Sequence, residues 1–553
     1  TNSMLGAAAA ASPNMMGTSL LSGQPPKRHK RWLTPRILAA AFAAVACLLI
    51  VGLRRGRVEQ PRQRLQAYQG TCADVIQTAR DTGDKLAYMG CQAYEKHADD
   101  ALNLIDLTDA PKGQEIIGFG GAFTESAALV WQALPADKRV DFVRAYFDPV
   151  DGIGYTLGRV HINSCDFSIY SYSFDDVADD FDLAFFDDDV AHDQRTMIPL
   201  IMEASKAAGS QLRILASPWS PPAWMKTSGQ MDSSDKPGLR RECHDVWARY
   251  ISRWVSAYKR LGVDIWAVTF QNEPENPAAW EACVYDAEQM VEWVSGHLGP
   301  ILRADHPDVK IFAFDHNKDH LVDWANASFT DPAKASYFDG IAFHWYSGSD
   351  FDHVKYVHES WPDKMLLGSE ATYERYLWPA DTTVAEGNWK FGEGYAHDIL
   401  GDLLSGTVGW IDWNLLLDEH GGPNHLKNDC DAAAMANSTA QELYWHPQYY
   451  YMGHFSKYIV PGSVLLKATV TAEQARPADE NSTDPSAWWY YGKCSDAKMQ
   501  AGSFLRPDGL VATVVLNCGD QEIAYKIKAG KHRVLSLTVP AHGIQTVLHA
   551  HDG

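Results

Sequence analysis

The chain has 553 residues, 46% hydrophobic and 21% charged, which is enough for two or three domains around a large buried core. Its net charge of -22 hides a division: residues 1–64 hold ten Lys or Arg against Glu59 alone, and the remaining 38 basic and 69 acidic residues leave the body at -31. So acidic a body excludes nucleic acid as a partner, because phosphate binding requires clustered cations.

Residues 1–36 form a basic tail, small, polar and Pro-containing, that is expected to be disordered. Ile37 to Leu53 follows as an uncharged apolar run of 17 residues. As a helix it would span about 25 Å, near the lower limit for crossing a bilayer. Lys27, Arg28, Lys30, Arg31 and Arg36 flank it on one side, and Arg54, Arg55 and Arg57 on the other. It reads first as a transmembrane signal anchor with the Lys27 to Arg36 cluster on the cytoplasmic side. A cleaved signal peptide is the alternative, because Ala44-Val45-Ala46 has the small-x-small form of a cleavage site. Either way the remainder is expected in the secretory lumen, in a lysosome-like compartment or outside the cell, anchored or secreted. Residues 54–65 read as a linker.

Residues 66–114 contain strand-like alternation, as in Leu102 to Leu107, and are assigned to a β-rich domain. From 115 to 455 apolar runs alternate with amphipathic stretches such as Asp245 to Arg260 and Ala287 to Leu302. The runs are Ile116 to Thr124, Thr156 to Asn163, Leu212 to Trp219, Ile265 to Glu273, Val309 to Asp315, Gly340 to Tyr346, Lys364 to Glu370 and Val408 to Leu416. Eight of them over that length predict an α/β fold, a (β/α)8 TIM barrel. Residues 456–553 turn to short alternating strands such as Leu510 to Asn517, the pattern of a β-sandwich.

Asp175 to Asp193 holds nine aspartates without EF-hand spacing and reads as a solvated loop after the second strand. Of the nine cysteines, Cys47 lies in the apolar run, and only Cys72 and Cys91 fall in a short stretch suited to a bridge. The others read as buried free thiols, and no Cys or Cys/His spacing suggests metal. Asn326, Asn437 and Asn481 begin N-glycosylation acceptors, a number that chance also supplies.

Two of the runs close on a glutamate: Glu273 in Thr269-Phe270-Gln271-Asn272-Glu273-Pro274 and Glu370 in Leu366-Leu367-Gly368-Ser369-Glu370-Ala371. Acids at the C-terminal mouths of two barrel strands have the arrangement that glycoside cleavage requires. One protonates the departing oxygen while the other attacks or stabilises the anomeric carbon. Carboxylates about 5 Å apart resist joint ionisation, so the pKa of the acid is expected to be raised. The 19 Trp suit a sugar binder, since indole stacks on the apolar faces of sugar rings, although Trp also fills cores.

Taken with Gly118-Phe119-Gly120-Gly121-Ala122-Phe123-Thr124-Glu125, Ser164-Cys165-Asp166-Phe167-Ser168, Ala216-Ser217-Pro218-Trp219, His344-Trp345-Tyr346, Gly409 to Asn414 and Gly453 to Lys457, these segments resemble glycoside hydrolase family 30. Within it the chain is similar to the glucosylceramidase (acid β-glucosidase) group, from about residue 115 to the C-terminus. The resemblance implies a barrel with a β-sandwich built from both ends of the catalytic region. It implies Glu273 as general acid/base, Glu370 as nucleophile and Asn272 as the partner of the sugar 2-hydroxyl. By the same resemblance Asp166, Trp219 and Trp413 hold or stack on glucose, Phe167 and Tyr346 line the site with Tyr346 near Glu370, and Asn428 lies on the sugar side. Arg159 reads as a brace for the carboxylates and His344 as a hydrogen-bonded wall residue.

The chain departs from mammalian members of the group in a shorter Pro274 to Trp280 segment, in Ala371-Thr372-Tyr373 after Glu370, and in lacking their amino-terminal cysteine cluster. The expected activity is hydrolysis of glucosylceramide or a similar glucolipid, with no metal or organic cofactor implied. A β-xylosidase or β-1,6-glucanase of the same family is the first rival, and a non-catalytic sugar-binding protein the second. The implied partners are the β-glucoside substrate and, through the apolar helix, a membrane; an activator protein is left unspecified.

Overall fold

A computed structural model of the chain describes residues 70–95, 102–233, 236, 238–380, 382–472, 494 and 499–551. The expected tail, apolar run and linker, and the acceptor at Asn481, lie outside the described residues. Among the described residues no helix is long and apolar enough to cross a membrane.

Eight strands close into a barrel in sequence order: Gly118–Ala122, Leu157–Ile162, Arg213–Pro218, Ile265–Thr269, Lys310–Asn317, Gly340–His344, Met365–Glu370 and Gly409–Asn414. Every neighbouring pair is parallel, and the eighth strand pairs with the first. Each lies within or overlaps one of the eight expected runs. The continuous apolar character of those runs has a direct cause, because a barrel strand is buried on both faces. Leu157, Leu215, Ala267, Phe312, Ala342, Leu367 and Ile411 fill the interior, while helices cover the outside. At Gly120 a Cβ would lie 2.1 Å from the Leu157 carbonyl oxygen, so the glycine-rich first strand is a requirement of close strand approach.

The sandwich draws on both ends of the described chain. Its larger sheet runs Asp84–Ala93, Cys72–Ala79, Gly543–Ala550, Leu510–Asn517, Gln500–Leu505, Ser463–Leu466, Lys112–Ile116. A four-stranded sheet, Thr469–Thr471, Leu104–Asp106, Ile523–Lys528 and Val534–Val539, completes it. Val75, Ile105, Val511, Val515, Tyr525, Ile527, Leu535 and Val547 form the core between them. Lys112–Ile116 leads almost directly into the first barrel strand, and helix Pro447–Ser456 ties the two bodies together. His454 of that helix hydrogen-bonds Thr78 and Thr546 of the sandwich, each at 2.9 Å, while the ring of Phe455 meets Phe119 of the barrel at 6.3 Å.

Three expectations need correction. Cys72 and Cys91 are bridged as expected, but Cys494 and Cys518 form a second disulfide instead of remaining free. The reason lies in pairing: Gln500 stands opposite Leu516, so residues just outside that ladder converge, with 6.0 Å between the two cysteine Cα atoms. Cys165, Cys243, Cys283 and Cys430 are buried free thiols. The aspartate-rich loop does follow the second strand, yet it is not wholly solvated. Asp193 is buried and accepts the hydroxyls of Tyr172 at 3.0 Å and Tyr258 at 2.7 Å; burial lifts its pKa to about 7 against those bonds. Asp179 and Asp188 face Arg240 and Arg253 across that loop. Finally, Glu273 stands beyond the end of the fourth strand, because Phe270 to Glu273 leaves the ladder to bond onward to the third and fifth strands.

Lys318, beyond the fifth strand, is fully buried and is held by Asp398 at 2.5 Å and Asp402 at 3.1 Å, both on helix Trp389–Leu404. Replacing it with methionine leaves two buried carboxylates without their cation. Lys318→Met is expected to cost about 3–5 kcal/mol, read as a lower denaturation midpoint; an unchanged midpoint would show that this cluster does not brace the barrel wall.

Candidate active site

Glu370 is the last residue of the seventh barrel strand, and its side chain is 8% exposed. Its Oε1 accepts the Tyr346 hydroxyl at 2.9 Å, and its Oε2 is bonded to Nη1 of Arg159. Glu273 sits at the mouth beyond the fourth strand, 14% exposed in its side chain, with a left-handed φ of 44° that a glutamate adopts only under constraint. The constraint is visible: the Glu273 N–H donates to the Asp315 carbonyl at 3.0 Å, and the Asn272 N–H to the Pro218 carbonyl at 2.8 Å. Asn276 donates to Glu273 Oε2 at 2.8 Å, and His344 Nδ1 lies 3.2 Å from Oε1. The two glutamates therefore share one small space, where their facing oxygens and His344 lie within 4.8 Å of one another.

Beneath them lies a residue that the sequence reading used only to end the fifth strand. Asp315 is fully buried, and three hydroxyls surround it: Ser217 at 2.8 Å, Thr269 at 2.7 Å and Ser369 at 2.6 Å. Arg159 Nη2 donates to it at 2.9 Å, and His344 Nε2 lies 3.1 Å away. Burial works against its charge, but Arg159 and His344 outweigh it and hold the carboxyl well below the usual carboxylate range. The same Nη2 donates to Asn272 Oδ1 at 2.7 Å, so one guanidinium orients Glu370, Asn272 and Asp315 together. A signal for Asp315 did exist: a lone acid closing Ile311-Phe312-Ala313-Phe314, at the mouth where the glutamates stand.

His344 changes the charge balance expected of the pair. Burial alone would keep its imidazole neutral, but Glu370, Asp315 and Glu273 raise its pKa to about 9. Burial likewise pushes Glu273 up, yet the His344 hydrogen bond, the nearby His316 and the Asn276 amide bring it down to about 2. In the free site, then, Glu273 is lowered where repulsion from Glu370 was expected to raise it. The physical reason is the cation standing between them.

The remaining expected residues gather on the opposite wall. Asp166 and Phe167 lie in the loop after the second strand, with the Phe167 carbonyl accepting from Ser126 and the Ser168 carbonyl from His425. Asn428, in the loop after the eighth strand, donates to Asp166 Oδ2 at 2.9 Å. Burial first, then Glu370, raises the Asp166 carboxyl well above its usual pKa. Trp219 and Trp413 stack at 5.3 Å, Phe167 meets Trp413 edge-on at 6.0 Å, and the Arg159 guanidinium lies 4.8 Å from the Trp219 ring. All nine expected residues, Glu273, Glu370, Asp166, Phe167, Trp219, Asn272, Tyr346, Trp413 and Asn428, thus stand at one barrel mouth. Glu281, buried and bonded to Ser164 and Ser171, with His425 at 3.5 Å, joins the three loops that carry this wall; neither Glu281 nor His425 was singled out from the sequence.

The spacing of Glu273, His344 and Glu370 would also suit a divalent cation. Arg159 is bonded to Glu370 there, and His344, whose pKa the surrounding acids raise, stands 3.2 Å from Glu273. An ionised carboxylate and a second carboxyl with a proton source beside it can carry out acid–base and nucleophilic chemistry on one bound group.

Residues 116–459 match the glycosyl hydrolase family 30 TIM-barrel domain, and residues 492–547 the family's beta sandwich domain. Lysosomal acid glucosylceramidase of Mus musculus is 33% identical over 458 residues, spanning 80% of this chain and 83% of its own. Endo-1,6-beta-D-glucanase of Neurospora crassa is 27% identical over 451 residues, 80% and 87% of the two chains. Among solved structures, SrfJ from Salmonella typhimurium matches with a TM-score of 0.77 at 31% identity, over 87% of this chain and 100% of that one. With its barrel, its sandwich and its paired glutamates all in place, the chain belongs to glycosyl hydrolase family 30 and is a glycoside hydrolase.

Proposed function

We propose that this glycoside hydrolase is a retaining β-glucosidase that cleaves glucosylceramide or a related glucolipid by double displacement. The observation that carries the reading is the approach of Glu273 to Glu370, with facing oxygens within 4.8 Å. Retaining enzymes place their carboxyls about 5–5.5 Å apart, whereas inverting ones leave about 6.5–9.5 Å for a water. Glu370 is the nucleophile: Arg159 and Tyr346 hold both its oxygens and aim it, with little freedom left to lose in the transition state. Glu273 is the acid/base that protonates the leaving oxygen. Asn272, fixed by Arg159, meets the sugar 2-hydroxyl, while Asp166 and Asn428 take hydroxyls further round the ring against Trp219, Trp413 and Phe167.

Glucose is favoured over other sugars by the likeness to the mouse glucosylceramidase. The lipid aglycone is the more distant inference, because the Pro274 to Trp280 segment on that side is where the chain departs from mammalian members. A second reading has a specific support: the Neurospora relative is an endo-1,6-glucanase and matches over a similar length. A membrane anchor at Ile37 to Leu53 would suit a lipid substrate by holding the enzyme near a bilayer.

Turnover of residues 60–553 on glucosylceramide, aryl β-glucoside, aryl β-xyloside and gentio-oligosaccharides separates the readings. Cleavage of glucosylceramide with release of β-glucose as the first product is expected; rapid cleavage of gentio-oligosaccharides with none of glucosylceramide would select the glucanase. Glu370→Gln is expected to lower kcat by about 10⁴-fold or more. Azide should restore part of the rate of Glu370→Gly, giving the α-glucosyl azide, and a Glu370→Gln enzyme at wild-type rate would remove the nucleophile assignment.

A further inference from the structure

We propose that His344, oriented by Asp315, stores the proton that Glu273 delivers to the leaving group, and that attack by Glu370 releases it. The proposal rests on the reading of Glu273 as acid/base and of Glu370 as nucleophile. It begins with tautomer geometry. Asp315 is surrounded by three hydroxyls, the Arg159 guanidinium and His344 Nε2, so it is an ionised acceptor and Nε2 must carry a hydrogen toward it. The position of the ring free to gain or lose a proton is therefore Nδ1, and Nδ1 faces Glu273 Oε1 at 3.2 Å. Two arrangements satisfy this contact equally well: imidazolium against carboxylate, or imidazole against carboxylic acid. They differ only in where one proton sits along the Nδ1 to Oε1 line.

The groups that decide between them surround the ring. Glu273 approaches from the fourth strand's loop, Asp315 from the fifth strand and Glu370 from the seventh, its Oε1 3.9 Å from Nδ1. His316 of the fifth strand lies edge-on at 6.4 Å between ring centroids. Tyr346 lies at 6.0 Å and donates to Glu370, and Arg159 acts on the ring through Asp315 and Glu370. In the free enzyme three anions outweigh one guanidinium and the imidazole holds the proton, in line with its value of about 9. When Glu370 bonds to the anomeric carbon, its charge disappears into the ester and one of those anions is lost.

The balance of the first step follows. The Glu370 oxygen bonds to the anomeric carbon, the bond from that carbon to the leaving oxygen breaks, and its electron pair accepts a proton from Glu273. Glu273 begins ionised, so that proton reaches it from His344 Nδ1 as the Glu370 charge is lost, which leaves neutral imidazole, ionised Glu273 and the glycosyl ester. In the second step water bonds to the anomeric carbon and the ester bond breaks to restore ionised Glu370. The water proton returns through Glu273 to His344 Nδ1. In this scheme nucleophilic attack and proton delivery are coupled through charge, and His344 acts as a positioning residue and proton store behind the carboxyl that meets the substrate.

The test compares wild type, His344→Gln and Glu273→Gln on β-glucosides whose leaving groups need protonation, such as methylphenyl, and one that does not, 2,4-dinitrophenyl. For His344→Gln the expected result is a loss of about 100-fold on the poor leaving groups, with the dinitrophenyl substrate little changed. The wild-type alkaline limb of kcat/KM should fall as pH rises through about 9, since a raised pKa keeps the proton present below it and lost above it. In His344→Gln the limb should move to lower pH by about 1–3 units. Equal losses on both substrate types with an unmoved limb would overturn the proton store. If Glu273→Gln itself showed no leaving-group dependence, the underlying acid/base assignment would be the part that fails. Should His344→Gln not fold, the ring ¹⁵N shifts of wild-type His344 decide: two protonated nitrogens in the free enzyme at pH 7 and one in the 2-deoxy-2-fluoroglucosyl-enzyme are expected, and a neutral free-enzyme ring would overturn the proposal.

Discussion

A single buried carboxylate organises this active site. Asp315 sits at the base of the barrel mouth, and burying its charge is tolerated only because every oxygen lone pair is answered by a hydroxyl, a guanidinium or an imidazole. In answering it, Arg159 and His344 are fixed in orientation, and these two groups then aim Glu370, Asn272 and Glu273. The positions of the reacting groups are thus inherited from an acid that has no need to touch substrate. The left-handed backbone at Glu273, Phe314 and Asp315, with φ of 44°, 69° and 78°, marks where local strain is held in place by this network.

The barrel supplies the stage by an economical route. Its strands are short, with apolar faces inside and out, and each stops at the same end, so that the residues just beyond them converge whatever their separation in sequence. Glu273 and Glu370 come from strands four and seven, Arg159 from two, Asp315 from five and Trp413 from eight. The sandwich holds the opposite kind of information. It carries no member of the site, but helix Pro447–Ser456 locks the barrel's closing segments to strands from both chain ends through His454, Thr78 and Thr546.

Much of this was legible in advance because the signals were local. All eight barrel runs, the sandwich after them and the two glutamates could be read off apolar runs ended by chemistry-bearing residues. Other features depend on which segments meet. The bridge from Cys494 to Cys518 exists because two strands pair in a particular register. Asp193 is buried because Tyr172 and Tyr258 close over one end of a loop whose composition suggested only water. The lowered pKa of Glu273 depends likewise on tertiary contact, since two acids considered alone repel and only the closed barrel sets the His344 imidazole between them.

By itself, then, the sequence determined the kind of fold, the mouth at which chemistry occurs and the residue types available there, since strand period, burial and family motifs are properties of short segments. The tertiary structure decided the charge state of those residues and the identity of the group that organises them. Electrostatic energies depend on distances of a few ångströms between side chains that lie dozens to hundreds of positions apart, as Arg159 and Glu370 do, and those distances come into being only when the barrel closes.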